Sequence, residues 1–196
     1  MATRKIIRPA ASGDTGTPAA PATASAPATA PAASGPAPTR TLNLSDFVEQ
    51  LRKQTDSARV QKATSMLQSD RFQLFDEVTD EHVTGVVKSQ TDYSLFYACK
   101  IDKHGNFMCC TQNLNRCGGL GGNKPCKHML VLMIGLVQGG KINATQLSEW
   151  TKAAKGKKPV IDKDAMSATF VKYKGAEAGE IEWRPTETTP EDYYAL

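Results

Sequence analysis

The sequence lacks an apolar run long enough to cross a membrane. Its longest strongly apolar segment, residues 129–137, has nine residues, whereas a membrane-spanning helix needs about 20. The N-terminus also lacks the apolar core of a signal peptide. We therefore expect a cytoplasmic protein with no membrane association. In that compartment the five cysteines would not form a disulfide framework.

The first fifth of the chain lacks the residues from which a hydrophobic core is built. Between Arg8 and Thr39 there is no aromatic or large aliphatic residue, and this stretch carries seven of the eleven prolines. Such a segment cannot bury enough apolar surface to offset the conformational entropy that folding would cost. The composition therefore predicts a disordered Ala/Pro-rich tail over residues 1–40 and a single domain over residues 41–196.

Positive charge is too dispersed to indicate a dedicated nucleic-acid-binding protein. The net charge is +3 over residues 1–40, +1 over 41–140, +5 over 141–174 and −5 over 175–196. A nucleic-acid binder generally shows a concentrated basic footprint. The one candidate footprint is a group of five lysines, Lys152, Lys155, Lys157, Lys158 and Lys163. Nucleic acid is therefore a possible partner that ranks behind a protein partner.

The motifs of an enzyme are also missing. The glycine-rich segment 118–124 superficially suggests a phosphate-binding loop, but Asn123 precedes Lys124 and Pro125 follows it, so the Gly-Lys-Ser/Thr ending is absent. The glycines are better explained as a flexible loop that lets Cys117 and Cys126 approach one ion. We therefore expect that the protein is not an enzyme.

What the sequence does contain is a concentrated set of metal-binding residue types. Four of the five cysteines and one of the three histidines lie within 20 residues: Cys109, Cys110, Cys117, Cys126 and His128. Tetrahedral Zn²⁺ takes thiolate and imidazole ligands, and structural sites draw pairs of them from close positions such as Cys126-x-His128. The sequence thus predicts one zinc site. Cys99 lies on the alternating apolar face of a strand and is expected to be a core residue.

The residues around this pair resemble the SWIM zinc finger, whose pattern is Cys-x-Cys, a variable spacer, and Cys-x-His leading into an apolar helix. Residues 125–132 match the second half, and the resemblance covers about residues 82–138. The first half departs from the pattern, because Cys110 has Met108 or Gln112 where its partner should stand. The resemblance therefore implies the ligand set Cys110, Cys117, Cys126 and His128, with Cys109 possible in place of Cys110.

The resemblance also implies a function. The chain is most similar to bacterial SWIM proteins associated with MoxR-type AAA ATPases and with von Willebrand A domain proteins. This implies a protein-interaction module, acting as an accessory or adaptor subunit of an AAA ATPase system, and one of those two protein types as the partner. The alternative function is that of a nucleic-acid-binding zinc finger protein.

The remaining patterns predict an α+β fold. Turn-prone clusters separate four short runs rich in Val, Phe and Tyr, which indicates a small antiparallel sheet. The apolar run after Cys126 predicts a buried helix anchored by the zinc, and flanking helices are expected on either side of this core. The first predicted helix is capped by Ser45 or Asn43 and runs to about Gln54. The other predicted ranges are helices over about 56–67, 129–137, 144–154 and 163–173, and strands over 72–78, 82–88, 94–101 and 106–110.

Overall fold

The computed structural model describes residues 41–69 and 73–186. These residues form the predicted α+β fold, with helices and one four-stranded antiparallel sheet. The elements are α1 (Leu44–Gln54), α2 (Ser57–Leu67), β1 (Leu74–Val78), β2 (His82–Lys88), β3 (Phe96–Asp102), β4 (Phe107–Thr111), α3 (Lys127–Gln138), α4 (Ala144–Ala153) and α5 (Lys163–Glu177), with a short 3₁₀ segment at Gly118–Asn123.

The observed elements follow the predicted ranges, with ends that shift by a few residues. The first strand begins at Leu74, and Phe72, where it was predicted to begin, lies outside the described residues. The last helix extends beyond Tyr173 to Glu177. The predicted disordered tail over 1–40 also lies outside the described residues. Within the described parts of the chain, no helix is both long and apolar enough to cross a membrane.

Short polar residues stand immediately before four of the helices and cap their N-terminal ends. A side-chain oxygen of the capping residue accepts a hydrogen bond from a backbone N–H of the first turn, which would otherwise lack a partner. Asn43 accepts from Asp46 at 2.8 Å, and Asp56 accepts from Ala58 at 2.9 Å. Equivalent caps begin α4 and α5, at Asn143 and Asp162.

The sheet is a simple meander in the order β1-β2-β3-β4, and both of its faces are covered. Side chains alternate between the two faces along each strand. The face that packs on α3 is here called the inner face. It belongs to a hydrophobic cluster to which α1, α2 and α4 also contribute, and it carries Leu74, Val83, Val87, Cys99, Ile101, Phe107 and Cys109. The face that packs on α5, here called the outer face, carries Phe75, Val86, Phe96, Ala98, Met108 and Cys110.

The central helix α3 is the most deeply buried element, since every residue from His128 to Leu136 is buried. It lies very close to the inner face. A Cβ at Gly85 of β2 would stand 2.6 Å from Leu132 Cδ1 and 2.8 Å from the carbonyl oxygen of Phe75. The helix can approach the strand this closely because position 85 has no side chain. This packing brings the first turn of α3 alongside β4.

Candidate metal centre

Four buried side chains converge between β4 and the first turn of α3: Cys109, Cys117, Cys126 and His128. Their donor atoms all lie within 4.8 Å of one another. The Nδ1 atom of His128 is 3.5 Å from the sulfur of Cys117, 3.9 Å from that of Cys109 and 4.0 Å from that of Cys126. Metal–ligand distances of about 2.3 and 2.0 Å place tetrahedral sulfur and nitrogen ligands about 3.5 Å apart. A small contraction would therefore close this cluster around one ion.

The structure corrects the preference for Cys110 as the first ligand. Three of the four preferred residues come together, but the fourth position is taken by Cys109, the alternative. Neighbouring residues on a strand point to opposite faces. Cys109 therefore points into the inner face toward α3, whereas Cys110 is buried on the outer face among the residues that pack on α5.

Cys117 reaches the cluster because the chain folds back along β4. The backbone N–H of Cys117 donates to the carbonyl of Cys109 at 2.9 Å, and that of Thr111 donates to the carbonyl of Asn115 at 2.9 Å. The glycine-rich loop then turns and passes close to Cys126. A Cβ at Gly119 would lie 2.9 Å from the Cβ of Cys126, so this turn requires glycine at position 119.

Cys126 and His128 are positioned by the start of α3. Cys126 is the N-cap residue, and its side chain makes no capping hydrogen bond. Its sulfur lies in the cluster instead, and His128 follows in the first turn of the helix. The N-terminal end of a helix carries unpaired N–H groups and partial positive charge, which favour a thiolate. The helix end thus contributes to the electrostatics of the site.

The electrostatics of the cluster favour a bound cation. Hydrogen bonds from Cys109 and Cys126 lower the pKa of the Cys117 thiol. Burial raises the pKa of Cys109, and the hydrogen bonds that Cys126 makes to Cys109 and Cys117 raise its pKa as well. Binding of a metal ion requires the three sulfurs as thiolates. A metal ion would stabilise all three and would release protons as it binds, so its affinity should fall as the pH falls.

The sequence did not reveal that Tyr97 belongs to the site. Its ring stacks on the His128 imidazole, with ring centroids 3.6 Å apart and an interplanar angle of 19°. His128 is 3% exposed, and its Nε2 atom has no hydrogen-bond partner among the described residues. Nδ1, which faces the three sulfurs, is therefore the nitrogen that is placed to bind a metal. Tyr97 fixes the plane of the imidazole in that orientation.

Arg59, on α2, is a second residue that the sequence did not point to. One guanidinium nitrogen, Nη1, donates to the carbonyl of Gly119 at 3.0 Å and to that of Pro125 at 3.2 Å. Gly119 follows Cys117 in the loop, and Pro125 precedes Cys126. Arg59 therefore holds together the two loop segments that carry these cysteines.

Replacing Arg59 with glutamine is expected to weaken metal binding by about tenfold, the lower end of what the loss of a supporting residue costs. Both carbonyls would lose their donor, and the loop would hold the cysteines less firmly. Competition with a zinc chelator of known affinity measures the change. Lys62→Gln is the matched control, because Lys62 is exposed on the same helix. Equal zinc affinities for the two variants would contradict this role for Arg59.

Cys99 is a core residue, as the sequence predicts, although it lies beside the cluster. It is fully buried on the inner face and is not one of the four converging residues. Burial raises the pKa of its thiol to about 11. The thiol group therefore stays protonated near neutral pH.

The four residues form a set of protein donors that could hold a metal ion. Three thiols and an imidazole supply four ligands, which is the full coordination number of a structural tetrahedral site. No protein-family model, curated protein or solved structure matches the chain. The assignment of a metal site therefore depends on the geometry and chemistry of the residues themselves.

Proposed function

We propose that the ion is Zn²⁺ and that its role is structural. The observation that carries this proposal is the buried convergence of Cys109, Cys117, Cys126 and His128. Three sulfurs and one nitrogen suit zinc, whereas magnesium and calcium prefer oxygen ligands. A catalytic zinc keeps a coordination position open for water or substrate, and four protein ligands leave none. A structural role also agrees with the expectation that the protein is not an enzyme.

We further propose that the zinc-stabilised domain is a protein-interaction module that serves as an accessory or adaptor subunit of an AAA ATPase system. The similarity of the Cys-x-His segment to SWIM fingers supports this proposal. A surface groove of about 590 Å³ lies between α5 and the ends of β3 and β4, and its lining includes Leu114, Phe170 and Ile181. At its rim Val171 is 68% exposed. An apolar surface of this kind suits a protein partner better than a phosphate backbone.

Nucleic-acid binding remains the alternative function. Lys124 and Lys155 line a smaller cavity of about 300 Å³ beside the metal-binding loop, and Lys152 and Lys158 are exposed nearby. Lys157, however, donates to the backbone carbonyl of His104 and is partly engaged within the domain. Since each phosphate contact needs a cation, this small group of lysines would support weak, salt-sensitive binding.

Capture of the tagged full-length chain from its native host distinguishes the two functions. We expect an AAA ATPase or a von Willebrand A domain protein to co-purify at physiological salt and to remain bound after nuclease treatment. The captured proteins are identified by mass spectrometry and compared with those captured by Cys109→Ser, which is expected to lose the metal. An association that nuclease abolishes, and that charge reversal at Lys155 and Lys158 weakens, would contradict the proposed function and favour the alternative.

A further inference from the structure

Besides the three converging cysteines, a fourth thiol is buried in the inner-face cluster, and it lies opposite Cys109 on the neighbouring strand. Cys99 on β3 is the direct partner of Cys109 on β4 in the antiparallel register. Both residues are fully buried on the inner face. Because Cys99 is not one of the four converging residues, its sulfur is not occupied by the metal.

The backbone pattern shows how close these two residues are. Cys109 directs its carbonyl away from β3, toward the N–H of Cys117, and Thr111 directs its N–H toward Asn115. Cys99 and Cys109 therefore form a non-hydrogen-bonded pair, in which the Cα atoms of an antiparallel sheet are about 4.5 Å apart. Disulfide-bonded cysteines have Cα separations of about 4.4–6.8 Å. A bond between the two sulfurs thus requires only a small movement of the strands.

We propose that this pair is a redox switch in which hydrogen peroxide links Cys99 to Cys109 and thereby releases the metal. The inference rests on the proposed zinc site, because it gives Cys109 a ligand role that a disulfide would end. Three ligands would remain, and the ion would be held only by the loop and the start of α3. The switch would therefore remove the metal-mediated link between α3 and β4.

The reaction consumes one peroxide molecule and oxidises each sulfur by one electron. The Cys109 thiolate displaces hydroxide from peroxide and becomes a sulfenic acid. The Cys99 thiol then displaces the sulfenic hydroxyl, which leaves as water together with the Cys99 proton. The products are one disulfide, one hydroxide ion and one water molecule, so atoms and electrons balance. A thiol reductant reverses the step and restores the ligand.

The test uses the full-length zinc-loaded protein treated with hydrogen peroxide. Released zinc is followed with a chromogenic indicator, and disulfides are mapped in tryptic digests without reduction. Trypsin places Cys99 in peptide 89–100, Cys109 and Cys110 in 104–116, and Cys117 and Cys126 in 117–127. We expect a cross-link between the first two peptides that accompanies zinc release, and full recovery of zinc binding after reduction.

Two variants test whether Cys99 is the residue that forms the disulfide with Cys109. Cys99→Ala should keep its zinc before oxidation but lose the cross-link and fail to recover fully after reduction, because the Cys109 sulfenic acid proceeds to irreversible forms. Cys110→Ala is the matched control, buried one residue away on the outer face, and should behave like the wild type while removing the ambiguity in peptide 104–116.

Other outcomes would overturn the inference. Zinc release with cross-links confined to peptide 117–127, or equal recovery of Cys99→Ala and the wild type, would show that Cys99 takes no part. An untreated protein without zinc would overturn the proposed function as well. Elemental analysis before oxidation therefore separates a failure of the switch from a failure of the metal site.

Discussion

Removing the metal with a chelator is expected to lower the melting temperature by more than about 10 °C. The site joins β4 to α3, whose residues from His128 to Leu136 are all buried. Structural zinc contributes about 10–16 kcal/mol of binding free energy in small zinc modules. For a domain of this size each kcal/mol shifts the melting temperature by about 2–4 °C, so even about 5 kcal/mol would be sufficient. Differential scanning calorimetry of the metal-loaded and metal-free protein measures the shift.

Restoring the metal provides the control for this experiment. Added Zn²⁺ should return the melting temperature to its original value, whereas Mg²⁺ or Ca²⁺ at the same concentration should not, because thiolates are poor ligands for these ions. Elemental analysis must show that the chelator removed the ion. An unchanged melting curve after verified removal would mean that the ion is peripheral to the fold.

Serine substitutions at positions 109 and 110 are expected to have opposite effects on zinc content. Cys109→Ser removes a donor atom from the cluster and should weaken zinc binding by at least about 100-fold, more than the 10–100-fold that the loss of a supporting residue costs. Cys110→Ser should keep one zinc per chain, because its side chain is buried on the outer face. Elemental analysis and chelator competition on the two purified variants measure the difference.

Comparison of Cys109→Ser with Cys110→Ser also controls for the cost of burying a hydroxyl group. Both cysteines are fully buried, so each serine variant places a polar group in an apolar environment, at a cost of about 1–3 kcal/mol. Both variants should carry this cost, and Cys109→Ser should lose further stability because it also loses zinc. Retention of zinc by Cys109→Ser together with its loss from Cys110→Ser would restore the sequence-based ligand choice.

The fold could be predicted from local signals in the sequence. Capping residues such as Asn43 and Asp56 stand directly before amphipathic segments, and the strands are short β-prone runs between turn residues. The buried helix follows from its uninterrupted apolar composition. The ends of the elements were less predictable: α5 runs on to Glu177, where the Tyr173 hydroxyl donates a hydrogen bond to the Glu177 carboxylate.

The metal site could be predicted only in part, because it depends on tertiary geometry. The spacing indicates which residue types could bind an ion, but Cys109 and Cys110 are adjacent and differ only in the face to which they point. Which of the two cysteines faces the site depends on the side of the sheet on which α3 packs. Long-range tertiary contacts determine that side. Arg59 and Tyr97 left no local signal, since they reach the site from distant segments.

X-ray absorption at the zinc edge tests the metal centre most directly. Cys109, Cys117, Cys126 and His128 predict three sulfur neighbours at about 2.3 Å and one nitrogen neighbour at about 2.0 Å. The nitrogen contribution should disappear in His128→Ala. Four sulfur neighbours, a shell that contains oxygen in place of sulfur, or purified protein without zinc would contradict the assigned site.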